Sequence, residues 1–228
     1  MRFVPLAMSK MGEHGTCVAG VDLDSGQWIR PVVSGHSCLF EEQTTQFKAN
    51  HIHDLVVGAT LTPSPDASTY HTEDRVFIRV NRVGEQLSPG GKLNLLRSFA
   101  SGSLASSLFA GGSSLYLIEP EDVAYKLDQY GEKRRFHLSG FPPPQEWTAA
   151  LEERLIGISV SGIPCTCPRW KAFSQENWLD KAVTLAMIRD YTDGANVFLV
   201  VSLGRLYKEK HWVMVAGVHI VGDDRIWL

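Results

Sequence analysis

The sequence predicts a mostly β protein built from two small β-barrels with one or two short helices. About nine or ten short apolar segments alternate with turns that contain glycine or proline, a pattern typical of small barrels or a sandwich. The length of 228 residues is close to what two five-stranded barrels require. In addition, "VAGVDL" at 18–23 recurs as "VAGVHI" at 215–220, an echo that favours a repeated architecture.

The first half of the chain contains five predicted strands: residues 1–8, 16–22, 28–32, 53–63 and 75–83. Asp24, Ser25 and Gly26 supply a tight turn between the second and third strands. Pro31 cannot donate a ladder hydrogen bond, so we expect the end of the third strand at a sheet edge. Gly58 marks the expected position of a bulge in the fourth strand.

The second half contains five further predicted segments: a strand at 114–120, a hairpin at 125–140 and strands at 153–161, 196–204 and 211–221. Ser174 is a suitable N-cap for a helix that would extend to about Tyr191. Between the halves, residues 84–114 are rich in Gly and Ser. We therefore assign residues 1–90 to a first barrel, 91–113 to a connection that includes a short helical face, and 114–228 to a second barrel. Whether the two halves exchange strands stays an open question at this point.

The composition excludes several classes of protein. Apolar residues make up 44% and charged residues 21%, as in ordinary globular domains. The net charge of −3 argues against nucleic-acid binding through bulk charge, although not against a local basic patch. Four cysteines are too few for a disulfide scaffold. The sequence shows neither a signal-peptide core nor a membrane span. We therefore expect a cytoplasmic protein with no membrane association and no cofactor.

Several motifs occur in an order that resembles one known family. They are "CVAGVDLDSGQWIRPV", "YHTEDR", "RRFHLSG", "LIGISVSG", "LVVSLGRLY" and "HWVMVAGVHI". Over about residues 1–221 the chain resembles the prokaryotic dual OB-containing domain family, and the first hairpin is the most specific part of the likeness. The resemblance implies two OB-like barrels and a connection with nucleic acid. It does not imply an enzyme.

Arg30 is unusual because it stands in an otherwise apolar strand, two residues after Trp28. Residues two apart on a strand share a face, so one interpretation is a ligand face where Trp28 stacks a base and Arg30 binds a phosphate. The other is structural: Trp28 is buried, and Arg30 pairs with a buried carboxylate, for which we expect Asp22 or Glu73.

The segment "YGEKRRFH" combines basic and aromatic residues at short range. Single-strand binding faces often have this composition, and the predicted contact residues are Tyr130, Lys133, Arg134, Arg135 and Phe136. The structural alternative is a solvated turn followed by an edge strand with protective charges.

Metal and acid–base sites have weaker support. His51 and His53 share a face if their segment is extended, but no third ligand follows at a recognisable spacing. His36, Cys38, Cys165 and Cys167 have one-residue spacers, shorter than structural zinc pairs use, and we expect buried thiols. Residues 71–74 ("HTED") offer acid and base groups, which we interpret as a hydrogen-bonded loop.

Three functional hypotheses follow. The first is a non-enzymatic module that binds single-stranded DNA or RNA within a multi-component prokaryotic system. The second is an adaptor that binds proteins or peptides through acidic surface and open sheet edges. The third is a metal-dependent hydrolase or nuclease. The oligomeric state is open.

Overall fold

A computed structural model describes residues 1–11, 15–48, 55–65, 71–101, 113–120, 123–127, 134–138, 155–156, 162–176 and 192–223. The chain divides into two compact units. Unit 1 comprises Met1–Phe99 with Ala110–Ser114, and unit 2 comprises Ala100–Phe109 with Leu115–Leu228. The barrel limits expected from the sequence stay a prediction, since much of 91–113 lies outside the described residues.

Unit 1 contains six strands and two helices in its described part. The strands are β1 (Arg2–Met11), β2 (Gly15–Asp22), β3 (Trp28–Val32), β4 (Leu39–Phe40), β5 (Leu55–Pro63) and β6 (Asp74–Gln86). The helices are α1 (Glu41–Lys48) and α2 (Pro89–Phe99). The order β1-β5-β6-β3-β2 closes on itself because β1 also pairs with β2. Unit 1 is therefore a closed five-stranded barrel, with β4 added beside β2.

Alternation along the strands fills the barrel interior with apolar side chains. The described core cluster consists of Phe3, Met8, Val18, Ile29, Leu39, Ala59 and Phe77. The β3–β6 pair is parallel and the other pairs of the closed barrel are antiparallel. The register between β5 and β6 shifts between Gly58 and Ala59, which confirms the bulge expected there.

β3 lies between β2 and β6, but its end at Pro31 pairs only with β6 among the described residues, so one side of this end is unpaired, as expected for an edge. Its ladder with β2 stops at Ile29, and its ladder with β6 starts at Arg30. The Arg30 backbone N–H donates to the Glu73 carbonyl at 2.9 Å. Since successive backbone groups alternate in direction, the Pro31 nitrogen faces the side where the β2 ladder has already ended. No ladder bond is lost, and proline is tolerated inside the barrel wall.

Unit 2 contains eight strands and one helix in its described part. The strands are β7 (Ala100–Ser101), β8 (Leu115–Ile118), β9 (Val123–Leu127), β10 (Arg134–Leu138), β11 (Leu155–Ile156), β12 (Ile163–Pro164), β13 (Asn196–Tyr207) and β14 (Lys210–Val221), and the helix is α3 (Pro168–Glu176). One sheet has the order β11-β14-β13-β8-β7, and the other has the order β12-β10-β9. Trp170, Phe136, Tyr116 and Val213 belong to the core of this unit.

The two units repeat one strand arrangement. In unit 1 the order β3-β6-β5-β1 has one parallel pair followed by two antiparallel pairs. In unit 2 the order β11-β14-β13-β8 has the same directions. A helix stands between the corresponding strands in the chain, α1 between β3 and β5, and α3 between β11 and β13. The architecture is therefore repeated.

The "VAGV" echo does not mark this repeat, although it motivated the expectation. Residues 18–21 lie in β2, whereas 215–218 lie in β14, and β14 corresponds to β6 of unit 1. The two segments share a sequence because both are buried strands that need small and β-branched residues. They do not occupy equivalent positions.

The predicted fold class is confirmed: the chain is mostly β, and its strands form OB-like barrels. The described residues include three α-helices, where one or two were expected. Ser174, expected as an N-cap, lies inside α3, which begins at Pro168, a residue well suited to the first helical position. Residues 177–191 lie outside the described ranges, so the helix expected to extend to Tyr191 stays a prediction. Within the described residues, no helix has the length and apolar character needed to cross a membrane.

Candidate functional site

Arg30 belongs to a buried ion cluster on the outer side of the unit 1 barrel. Ile29 is in the barrel core, so the next side chain points away from the interior. Even so, Arg30 is only 5% exposed. Its Nε donates to Asp74 Oδ1 at 2.5 Å, and its Nη1 lies 3.9 Å from Glu73 Oε1. The guanidinium therefore joins β3 to the start of β6.

The partners of Arg30 differ partly from those expected. Glu73 is a partner as predicted, but the nearer carboxylate belongs to Asp74. Asp22 is not a partner: it accepts hydrogen bonds from Ser25 Oγ at 2.7 Å and from the Asp24 backbone N–H at 3.2 Å, and so stabilises the turn. Trp28 is half-buried rather than mostly buried.

Glu73 connects the cluster to two further groups. It accepts hydrogen bonds from the Ser114 hydroxyl and, at 3.5 Å, from the Ser114 backbone N–H. His71 Nδ1 lies 3.5 Å from Glu73 Oε1. Burial opposes the charged form of Glu73, but the hydrogen bonds from His71 and Ser114 and the charge of Arg30 outweigh it, so the pKa of Glu73 is lowered. The 71–74 segment thus serves as the predicted hydrogen-bonded loop.

The thiol of Cys17 belongs to the same environment. Burial raises the pKa of the Cys17 thiol, although the charge of Arg30 opposes this rise. The thiol is therefore protonated at neutral pH and is a poor nucleophile.

The face of unit 1 that the fold would ordinarily offer to a ligand contains several buried side chains. OB folds bind oligonucleotides on the face of their second and third strands, here β2 and β3. Ala19, Val21 and Arg30 on these strands are all buried. The geometry favours the structural interpretation of Arg30. A nucleic-acid contact by Trp28 and Arg30 stays a prediction.

The predicted basic–aromatic site is described only in part. Tyr130 and Lys133 lie outside the described residues, and Arg134 is described only as part of the β10 backbone. Arg135 is half-buried, and its Nη1 donates to the Gly162 carbonyl at 2.9 Å.

Phe136 from the same predicted site is a core residue. It is 2% exposed, and its ring centroid lies 5.6 Å from that of Tyr125 and 5.2 Å from that of Trp170. In this arrangement its ring packs in tilted contacts against two other aromatic side chains. The nucleic-acid role of Lys133, Arg134 and Arg135 stays a prediction, and the stacking role would fall to Tyr130.

A second basic–aromatic surface, which the sequence reasoning missed, lies on the β13–β14 hairpin. Trp212 is 43% exposed. Lys210 and Met214 are half-buried and share its strand face, whereas His211 and Val213 between them are buried. The sequence signal was "RLYKEKHW" at 205–212, where three basic and two aromatic residues alternate in a pattern like that of 130–137.

The potential metal ligands do not assemble within the described ranges, where no group of three or more His, Cys, Asp or Glu side chains could hold an ion. His36 packs edge-on against Phe40, with ring centroids 4.8 Å apart. The cysteines are free of disulfides. Burial raises the pKa of the Cys167 thiol, which disfavours the thiolate that binds metals. His51 and His53 lie outside the described residues.

Comparisons with known proteins agree with this geometry. Neither the curated proteins nor the solved structures yielded a match. A family model described as the dual OB-containing domain matches residues 1–141, which is more than half of the chain. This range includes the closed barrel of unit 1 and the first strands of unit 2. The chain therefore belongs to the dual OB-containing domain family.

Proposed function

We propose that this protein binds single-stranded nucleic acid without acting on it chemically. The observation that carries the proposal is the OB strand order, complete in unit 1 and repeated for four strands in unit 2. OB folds serve as oligonucleotide-binding modules. They combine basic grooves with aromatic stacking platforms, and this chain has two segments of that composition.

The test is fluorescence polarisation with labelled DNA and RNA oligonucleotides at low salt. If binding neutralises two or three phosphates, the affinity should fall as the salt concentration rises. In a log–log plot of the binding constant against salt concentration, the slope should be about −0.7 per phosphate. Undetectable binding of the unmodified protein at low salt would overturn the proposal.

The first variant to measure is K133S/R134S, which should lower the affinity clearly. Arg135 also binds the Gly162 carbonyl, so R135S is added only in a second variant whose melting temperature is checked. The matched control is K10S/R79S, because both basic residues are exposed on unit 1. If the control alone weakened binding, the contact would lie on unit 1 instead.

A protein-binding adaptor is the second candidate function. It is favoured by Ile78 on β6, which is 52% exposed and stands where the β5–β6 register shifts. Bulges redirect side chains at functional edges. A protein that ignores oligonucleotides, but loses a copurifying protein partner on I78D substitution, would support this alternative.

A further inference from the structure

We infer that the exposed face of the β13–β14 hairpin is a stacking platform for single-stranded nucleic acid, with Trp212 beneath a base and Lys208 and Lys210 beside the phosphates. This inference rests on the proposed function and names a surface that neither the family match nor the sequence motifs assigned. The surface is defined by four residues, Lys208, Lys210, Trp212 and Met214, and is called the hairpin platform below.

The strand geometry places the platform residues together. Lys210, Trp212 and Met214 alternate with buried residues along β14, so all three lie on one face. Ile156 of the neighbouring strand β11 is in register with Trp212 and is half-buried. The indole therefore stands on a continuous apolar strip with a lysine at one end.

The strand opposite Trp212 packs closely against it at a glycine. Gly204 of β13 lies beside Trp212: a Cβ built at Gly204 would come within 3.2 Å of the Trp212 Cβ and 3.4 Å of the Met214 Cε. Because glycine has no side chain, Trp212 and Met214 can approach the β13 backbone closely at this position. The Gly204 carbonyl is in contact with His211 Nδ1 at 2.7 Å, which helps hold the backbone there.

The turn that carries Lys208 has an unfavourable conformation for its residues. Lys208 has φ of 50° and Glu209 has φ of 65°. Consecutive positive φ values define a turn that usually takes Asn-Gly. Placing two long charged residues there costs conformational energy, and retained strain of this kind often marks a functional position. The Lys208 ammonium at the hairpin tip is a group that Asn-Gly would not provide.

The occupant follows from the chemistry of the surface. An indole offers a π-face to any base without regard to its identity, and lysines attract phosphates as point charges. A peptide recognised through apolar area alone would not need cations at the tip. The combination therefore favours single-stranded nucleic acid over a protein.

The decisive experiment measures oligonucleotide affinity by fluorescence polarisation for Trp212→Ala and Trp212→Phe. Loss of one base–aromatic stack should weaken binding of W212A by between about fivefold and about 150-fold, while W212F retains most of the affinity. The matched control is Phe40→Ala, because Phe40 is a partly exposed aromatic residue of unit 1. The melting temperature of each variant shows that it folds.

The lysines are tested by K208G/K210S, since glycine accepts the positive φ at position 208. The log–log salt slope should become shallower by about 1.4, the contribution of two single-strand phosphates. Its control is Glu209→Gly, which changes the same turn but removes an acid, and should leave the affinity equal or higher.

A second measurement covers the case in which W212A does not fold. Unlabelled oligonucleotide should quench the intrinsic fluorescence of the unmodified protein, and W212F should lose most of that quenching. Normal affinity and quenching in the platform variants, with loss of binding in K133S/R134S, would overturn this inference and leave the proposed function intact. No binding by the unmodified protein would overturn both.

Discussion

Arg30 explains how a charged side chain can occupy an apolar strand of a closed barrel. Its charge is matched by Asp74 and Glu73, which approach from the start of the neighbouring strand. Removing the cation would leave the Asp74 carboxylate buried without its ion-pair partner and Glu73 without its nearby cation, which is more costly than never having buried the pair. The residue is thus a structural link between β3 and β6.

Arg30→Ala should lower the free energy of unfolding by about 3–5 kcal/mol, measured by urea denaturation. The control is Arg2→Ala, which removes an exposed pair with Asp24 at 2.8 Å. Exposed pairs contribute little, so this change should leave stability nearly the same. Equal effects of the two substitutions would show that the Arg30 pair is not buried in solution.

The lowered pKa of Glu73 predicts how the stability of the fold depends on pH. Its pKa in the folded protein is lowered, so the charged carboxylate stabilises the fold at pH values above its unfolded pKa, near 4.3. This contribution is lost as the pH falls through the folded value. Glu73→Gln should therefore be less stable at neutral pH and less sensitive to acid. The check is the urea midpoint of unfolding of both proteins, measured from neutral pH down to about pH 3. If the midpoints of the two proteins changed with pH in parallel, the prediction would be contradicted.

At the scale of elements, closure of the unit 1 barrel depends on the close approach of β1 and β2. A Cβ placed on Gly20 would lie 2.0 Å from the Val4 carbonyl oxygen and 2.7 Å from the Pro5 Cα. Both are backbone atoms, which cannot move aside as a flexible side chain can. The register of β1 and β2 also shifts between Pro5 and Ala7 at this point, so Gly20 is required where the strands cross most tightly.

Gly20→Ala should therefore prevent closure and leave the protein largely insoluble or molten. The matched control is Gly90→Ala in α2, where a Cβ meets no atom within 4 Å and should stabilise the helix by about 0.5–1 kcal/mol. Circular dichroism and melting temperature distinguish the two. A normal melt for the Gly20 variant would mean that β1 and β2 are further apart than described.

At the scale of the whole molecule, each unit has its own core within the described residues. Phe3 belongs to the core of unit 1 and Phe136 to that of unit 2, and each described sheet lies within one unit. Each unit can therefore be tested through a substitution in its own core.

Phe3→Ala and Phe136→Ala should each destabilise their own unit by about 3–5 kcal/mol. Hydrogen exchange should show lost protection in β1, β2 and β5 for the first variant, and in β9, β10 and β13 for the second. A loss spread equally over both units would indicate one cooperative fold. A Phe136 variant with unchanged stability would contradict its place in the core.

Much of the secondary structure could be read from the sequence because it depends on local chemistry. Alternating apolar residues located β6 and β14, the Asp24–Gly26 turn separated β2 from β3, and Gly58 marked a bulge. The need of Arg30 for a buried carboxylate also followed from its neighbours in the strand. Each of these depends on residues only a few positions apart, where pattern and conformation are directly coupled.

The tertiary structure decided which strands pair and which side chains meet. The parallel β3–β6 pair brings Arg30 to Asp74 across 44 positions of sequence. Phe136 and Trp212 are both aromatic residues in basic segments, yet one is in the core and the other is exposed. Local periodicity determines which residues share a face, but only long-range pairing determines what covers that face. By itself, the sequence therefore determined the mostly β, OB-like fold class and many of its strands, whereas the buried ion cluster and the exposed hairpin platform arose from the packing.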